Sequence, residues 1–312
     1  MIISASRRTD IPSYYSKWFF NRLKDGYVYV RNPMNPHQIS KVSLSPDVVD
    51  GIVFWTKNPA PMLNLLDGLC DYPYYFQFTL TPYENDIERN LPSKDDNIIP
   101  IFQKLSSQIG RERVVWRYDP ILLNEKYTLQ YHIKHFRMLC DKLADYTEKC
   151  TISFLDIYKN IKRNVTSLGI RSLSFEEEEE LAGCFSKIAK DHGIYIDTCS
   201  EVIDLSKYGI AHSSCIDRCR LERIGNYRLN VSKDKNQRKE CGCVSSIDIG
   251  AYNTCKNGCV YCYANFNQTL VNNCCKCHDQ NSPLLYGKVS SEDIVKTREM
   301  KSLQCNQFTL FE

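Results

Sequence analysis

No stretch of the sequence approaches the roughly 20 consecutive apolar residues of a membrane-spanning helix. Net charge is also nearly absent: 40 Lys and Arg stand against 37 Asp and Glu, a formal +3 over 312 residues. That excess is too small to imply nucleic acid or a membrane surface as partner. The start, MIISASRRTDIPSYY, lacks the long apolar core of a secretory signal, because arginines follow a very short apolar run. No phosphate-binding loop, nucleophile elbow or HExxH motif occurs. These absences leave an ordinary soluble composition, 43% hydrophobic and 25% charged, and an expected cytoplasmic location.

What the chain has is cysteine, 16 residues in all. In a long chain without secretory features, cysteines read as metal ligands or reactive thiols rather than as a disulfide framework. Cys70, Cys140, Cys150, Cys184 and Cys305 are scattered singly and read as small apolar side chains. The other eleven crowd between Cys199 and Cys277, so the last third of the chain is where a metal is expected.

The first two hundred residues alternate β-rich and helical segments. IISAS (2–6), GIVFWT (51–56), YYFQFTL (74–80), RVVWRY (113–118), TISFLDI (151–157) and GIYIDT (193–198) are short apolar runs, as for strands buried on both faces. Between them lie segments with apolar residues at three- and four-residue spacing, several ending at glycine. In the last of these Ser174 and Glu177 fit a capping box, and Glu176–Glu180 suit the first turns of a helix. Such alternation predicts parallel β/α units. Each strand runs into polar groups: Arg7, Arg8 and Asp10 after the first, Thr56 and Lys57 after the second, Arg117 and Asp119 after the fourth, Asp156 after the fifth, Cys199 and Glu201 after the sixth. In β/α barrels those ends share one mouth where the chemistry sits. The expected fold is therefore α/β, a partial (β/α) TIM-type barrel of six to seven parallel strands over residues 1–205. Residues 206–312 are expected to form a cysteine-rich extension, with SSIDIGAY (245–252) as one more strand. Arg117, Asp119 and Asp156 are candidate substrate contacts.

In NTCKNGCVYCYANFNQ (253–268), Cys255, Cys259 and Cys262 follow C-x3-C-x2-C spacing. That spacing is wrong for a paired zinc knuckle. Three thiolates in one short loop suit three corners of an iron–sulfur cubane and leave one iron open to a small molecule.

With Tyr261 before the third cysteine and Tyr263 after it, the motif resembles the signature of radical S-adenosylmethionine enzymes. The resemblance implies a [4Fe–4S] cluster whose open iron is chelated by S-adenosylmethionine. It also implies formation of a 5′-deoxyadenosyl radical, an electron from flavodoxin or ferredoxin, and a role for Tyr261 near the adenine. The family's fold is also a β/α barrel. In that superfamily the motif follows the first strand, whereas here it follows six. A circular permutation accounts for this if SSIDIG pairs beside IISAS. Arg7, Arg8 and Asp10 would then reach the cofactor's carboxylate and ammonium groups, or else tie the first loop down as an ion-pair network. ISASRRTDIP, IVFWTKNP, YYFQFTLTPY, VVWRYDPI, CGCVSSIDIGAYNTC and HDQNSPLL together resemble an uncharacterised bacterial and archaeal family, domain of unknown function 1848. It carries a radical-type motif at its C-terminal end.

Cys199, Cys215, Cys241 and Cys243 are candidates for a second iron–sulfur cluster, with a closed zinc site or free thiols as alternatives. Cys219 is the spare. Cys274, Cys275 and Cys277 read as incidental. His132 and His135 read as helix-surface residues, and Trp55, Tyr83 and Trp116 mostly as core and rim. The substrate class stays open between a small molecule and a nucleic-acid lesion. The competing reading of the whole chain is a zinc-stabilised nucleic-acid-binding or scaffold protein without redox chemistry.

Overall fold

The computed structural model describes residues 1–305; residues 306–312 of the expected extension lie outside them. Strands in chain order are β1 (Ile2–Ala5), β2 (Tyr27–Asn32), β3 (Asn35–Ser43), β4 (Gly51–Thr56), β5 (Tyr74–Thr79), β6 (Val114–Ile121), β7 (Lys149–Phe154), β8 (Tyr195–Thr198), β9 (Ala211–His212), β10 (Arg228–Leu229), β11 (Ile247–Asp248), β12 (Ile294–Thr297) and β13 (Gln304–Cys305). Eight of them form one sheet in the order β11-β1-β4-β5-β6-β7-β8-β9, and every pairing in it is parallel.

All six strands expected in the first two hundred residues are present. The late segment pairs where a permuted first strand would, with Ile3 opposite Ile247 and Ser4 opposite Asp248. The sheet has one strand more than the largest number expected. β9 spans two residues, too few to carry an apolar pattern. Among the described residues no pairing joins β9 to β11, so the sheet is open along that seam. The structure also holds a small sheet of β12, β3 and β2 and the pair β10–β13, which the sequence reading missed.

Side chains alternate along the strands. One face carries Ile3, Ile52, Phe54, Phe76, Trp116 and Ile152 into a core with Trp18, Phe102, Phe136 and Phe185 from the covering helices. Those helices are Ser16–Asp25, Ile99–Ile109, Leu129–Leu143 and Phe175–Asp191. The last is capped by Ser174 and Glu177 in a reciprocal capping box, as its sequence predicts. PAPMLNLLDGL forms 3₁₀ turns over Ala60–Leu69 instead of an α-helix.

The opposite face is covered by the cysteine-rich segment itself. Ile2, Val53, Tyr75 and Val115 pack there against Cys215, Ile216, Leu221, Cys241 and Cys243. Tyr75 Oη and Gln77 Nε2 both donate to the carbonyl of Cys215, at 2.6 and 2.8 Å. Residues 215–244 thus fill the concave side of the sheet, which explains why the strands read as apolar on both faces.

One expectation is corrected. His132 is buried, not on a helix surface. Its ring bridges Tyr118 Oη and the Leu122 carbonyl, each at 2.8 Å, and burial holds its pKa down at about 4. No helix among the described residues is long and apolar enough to cross a membrane.

Candidate functional site

At the C-terminal ends of the parallel strands lies a cavity of about 460 Å³. Cys255, Cys259 and Cys262 line it, and so do Cys199, Cys215, Cys241 and Cys243. The seven cysteines singled out in the sequence therefore meet at one space.

The first trio is carried on a loop leaving β11. Asp248 fixes its root, accepting from Ser4 Oγ at 2.9 Å, Ser6 Oγ at 2.7 Å, and the backbone N–H groups of Arg7 and Gly250 at 2.9 Å each. A Cβ on Gly250 would lie 2.0 Å from Ser6 Oγ, so only glycine allows this approach. The loop then docks on the segment after β5. Val260 N donates to Ile87 O at 3.0 Å, and Asn90 N to Asn257 O at 3.1 Å. Gly258 takes a left-handed φ of +70° against Asn90. Tyr15 Oη holds the carbonyl of Thr254 at 2.6 Å.

Burial pushes all three thiols above the ordinary range, Cys259 to about 12, with Lys57 opposing at Cys259. As bare thiols they are neutral. A metal would have to displace their protons.

Beneath Cys259 lies a charged strut that the sequence reading did not assign. Glu88 is fully buried and bonds Lys57 Nζ at 2.5 Å, Thr81 Oγ1 at 3.0 Å, Lys94 and the hydroxyl of Tyr261. Lys57 Nζ also reaches Tyr261 Oη at 2.9 Å. Burial alone would raise the Glu88 pKa, but Lys57 and Lys94 hold it down at about 2. Burial, with the like charge of Lys57, lowers the Lys94 pKa against Glu88, whereas at Lys57 burial is outweighed by Glu88 and Cys259 and the pKa rises. Lys57 stood among the strand-end residues in the sequence. Glu88, in YENDIERN, carried no motif that could have marked it.

Tyr261, expected near a cofactor, has its hydroxyl fixed by this strut. Arg8 stacks over Tyr252, 5.1 Å from the ring centroid. Asp10 is committed within the protein. It caps helix Ile11–Tyr14 through Ser13 N at 3.0 Å and accepts from Thr56 Oγ1 and Lys57 N at 2.8 Å and from Asn257 Nδ2 at 3.0 Å. Four donors leave it no lone pair for a cofactor ammonium. These bonds tie the first loop to the segment after β4 and to the cysteine loop. Arg7 faces the other thiol group. Burial alone would lower its pKa, and Cys243, Cys215, Asp248 and Cys241 raise it.

In that second group Cys199 Sγ and Cys215 Sγ are 3.0 Å apart. Cys215 and Cys243, and Cys243 and Cys241, lie near enough to shift one another's titration. Arg117, expected at the substrate, lines the cavity and donates through Nη1 to Cys215 Sγ at 2.8 Å and through Nη2 to Asp119. Contacts with Cys199 and Cys243, reinforced by Arg117 and Arg7 against the effect of burial, bring the Cys215 pKa well below that of a free thiol. Asp119 also accepts from Ser153 Oγ. Asp156 stands at the exposed rim and pairs with Arg238 at 2.5 Å. Glu201, on the cavity wall, is pushed up to about 8 by burial, against a hydrogen bond from Phe154 N.

Among the described residues, no three His, Cys, Asp or Glu side chains converge as they do round a single metal ion. Thiols are the donor type that suits soft metals, and two sets of them line one cavity.

The sequence model of a family described as Domain of unknown function (DUF1848) matches residues 2–264. The chain belongs to that family. The DUF1848 region takes in the whole eight-stranded sheet and both thiol groups, and it stops short of Cys274, Cys275 and Cys277. No curated protein and no solved structure matches the chain.

Proposed function

We propose that this DUF1848 chain is a radical S-adenosylmethionine enzyme. In this reading Cys255, Cys259 and Cys262 hold a [4Fe–4S] cluster. The observation that carries it is the single short loop bringing three thiols to a cavity at the strand ends of a parallel sheet. With S-adenosylmethionine bound, the cluster supplies a 5′-deoxyadenosyl radical for hydrogen abstraction. The sheet is then a partial (β/α) barrel in permuted order, with β11 as the superfamily's first strand and β1 as its second.

The chain's own residues divide the remaining work. Three thiolates anchor the cluster and leave one corner free. Lys57, braced by Glu88, sets a positive charge beside Cys259. The net charge round an iron–sulfur centre tunes its potential. The same strut fixes the Tyr261 ring at the cavity wall. Asp10 and Asp248 hold the first loop rigid. Asp119, Ser153 and Asp156 offer hydrogen-bonding groups to a substrate, a small molecule or a nucleic-acid base. A flavodoxin or ferredoxin delivers the electron.

Protein purified without oxygen is expected to be brown, to contain iron and sulfide, and to form 5′-deoxyadenosine from S-adenosylmethionine and a reductant. A colourless protein that holds zinc alone after the same preparation would overturn this reading in favour of a zinc-stabilised scaffold.

A further inference from the structure

We infer that Cys199, Cys215, Cys241 and Cys243 form a second thiolate–metal centre, clamped by Arg7 and Arg117, that is a wall of the substrate cavity and not a remote structural staple. This goes beyond the cysteine-loop reading and does not depend on it.

Four thiols from three separate segments line one side of the cavity. Cys199 follows β8, Cys215 lies in the loop after β9, and Cys241 and Cys243 precede β11. Cys215, Cys241 and Cys243 are buried, and Cys199 is partly open. Ile216 N donates to Cys243 Sγ at 3.3 Å, the kind of contact that stabilises a thiolate on a metal.

The second observation is independent of the sulfurs. Two guanidiniums end against this group. Arg117 is 5% exposed and is matched by Asp119. Arg7 stacks over Trp55 at 5.4 Å, and its Nη2 is buried with no hydrogen-bond partner. Asp248, a carboxylate whose charge acts on Arg7, is already taken by four donors. A guanidinium does not lose its proton, so a buried one needs an anion. Thiolates held on a metal would fix that negative charge in place against both guanidiniums. Arg7 would then face a fixed negative charge, and Arg117 would keep its contact at Cys215.

Both iron–sulfur clusters and zinc take four thiolates, and the experiment separates them. Sulfurs round one zinc stand about 3.8 Å apart, so loading spreads the Cys199–Cys215 pair from its 3.0 Å. The other chemistry open to two sulfurs in contact is a disulfide.

The test uses the full chain with Cys255→Ala, Cys259→Ala and Cys262→Ala combined, prepared without oxygen and supplied with iron and sulfide or with zinc. The triple variant is expected to retain about four irons with visible absorption, or about one zinc, per chain. Adding Cys241→Ser and Cys243→Ser should remove that metal. A triple variant with native circular dichroism that takes up neither metal would overturn the inference, as would a Cys199–Cys215 disulfide found by mass spectrometry. Should the combined variant not fold, native alkylation of the wild-type chain decides. The four thiols are expected to be protected until a chelator is added, and equal labelling with and without chelator rejects the centre. Arg7→Met should lower metal occupancy several-fold, and unchanged occupancy would reject the clamp. Metal lost from these four thiols alone sinks this inference. Metal lost from Cys255, Cys259 and Cys262 alone sinks the cysteine-loop reading.

Discussion

The two thiol groups face one cavity but are built in opposite ways. Cys255, Cys259 and Cys262 come from eight consecutive residues, and their loop is positioned by backbone pairing with residues 87–90. Cys199, Cys215, Cys241 and Cys243 come from three segments that meet because β8, β9 and the filling segment fold against one sheet. Their counter-charges differ in the same way. Lys57 and Lys94 share Glu88 beneath the first group, while Arg117 shares Asp119 beside the second and Arg7 faces its sulfurs. A local group can be recognised by spacing. A group assembled across the sheet has no spacing of its own, and its surroundings show how its members meet.

The comparison is broken most directly at the loop. Combined alanine replacement of Cys255, Cys259 and Cys262 is expected to cut 5′-deoxyadenosine formation to background with the far-ultraviolet circular dichroism unchanged. Product at the wild-type level in anaerobic chromatography assays would remove the loop from the chemistry. Next comes the strut. Glu88→Gln leaves two partly buried lysines without their carboxylate and should cost about 3 kcal/mol in urea unfolding. The loss should be largely relieved when Lys94→Met is added. A change under 1 kcal/mol, by the same roughly calibrated scale, would mean that the strut does not brace the loop.

His132 serves as a control outside both groups. It is neutral when folded, with a pKa near 4 against about 6.5 in the unfolded chain. As pH falls below 6.5 the unfolded chain takes up the proton first. Stability is therefore full above about pH 7 and is lost between pH 6.5 and 4, by up to about 3 kcal/mol. His132→Gln should flatten that part of the profile, and an unchanged slope would point to another group. The smallest effect is expected at the helix start, where Ser174→Ala removes one cap and should cost about 1 kcal/mol. Thermal melts check it, and activity should not move.

Much of the sheet was legible because a strand buried on both faces must be apolar along its length: GIVFWT and YYFQFT left little alternative. The capping box at Ser174 and Glu177 was legible because both partners lie within one turn. β9 was not, since two residues make no pattern, and neither was the surface sheet of β2, β3 and β12. His132 was misplaced because a histidine on a helix looks the same whether its ring meets solvent or, as here, a tyrosine hydroxyl and a carbonyl. Arg117 was legible as a strand-end residue, but its contact with a thiol was not. Its thiol partner comes from Cys215, 98 residues on. Glu88 was invisible because nothing near it in the chain hints at two lysines converging from Lys57 and Lys94.

The sequence alone determined the alternation of strand and helix, the clustering of cysteine late in the chain, and the three-thiol loop, because each depends on residues within a few positions of one another. Only the tertiary structure decided that β11 pairs with β1, that a buried carboxylate supports the loop, and that four more thiols share the cavity with two arginines. Those arrangements depend on contacts between distant segments, and side-chain burial and charge acquire their energies only once the sheet has brought them together.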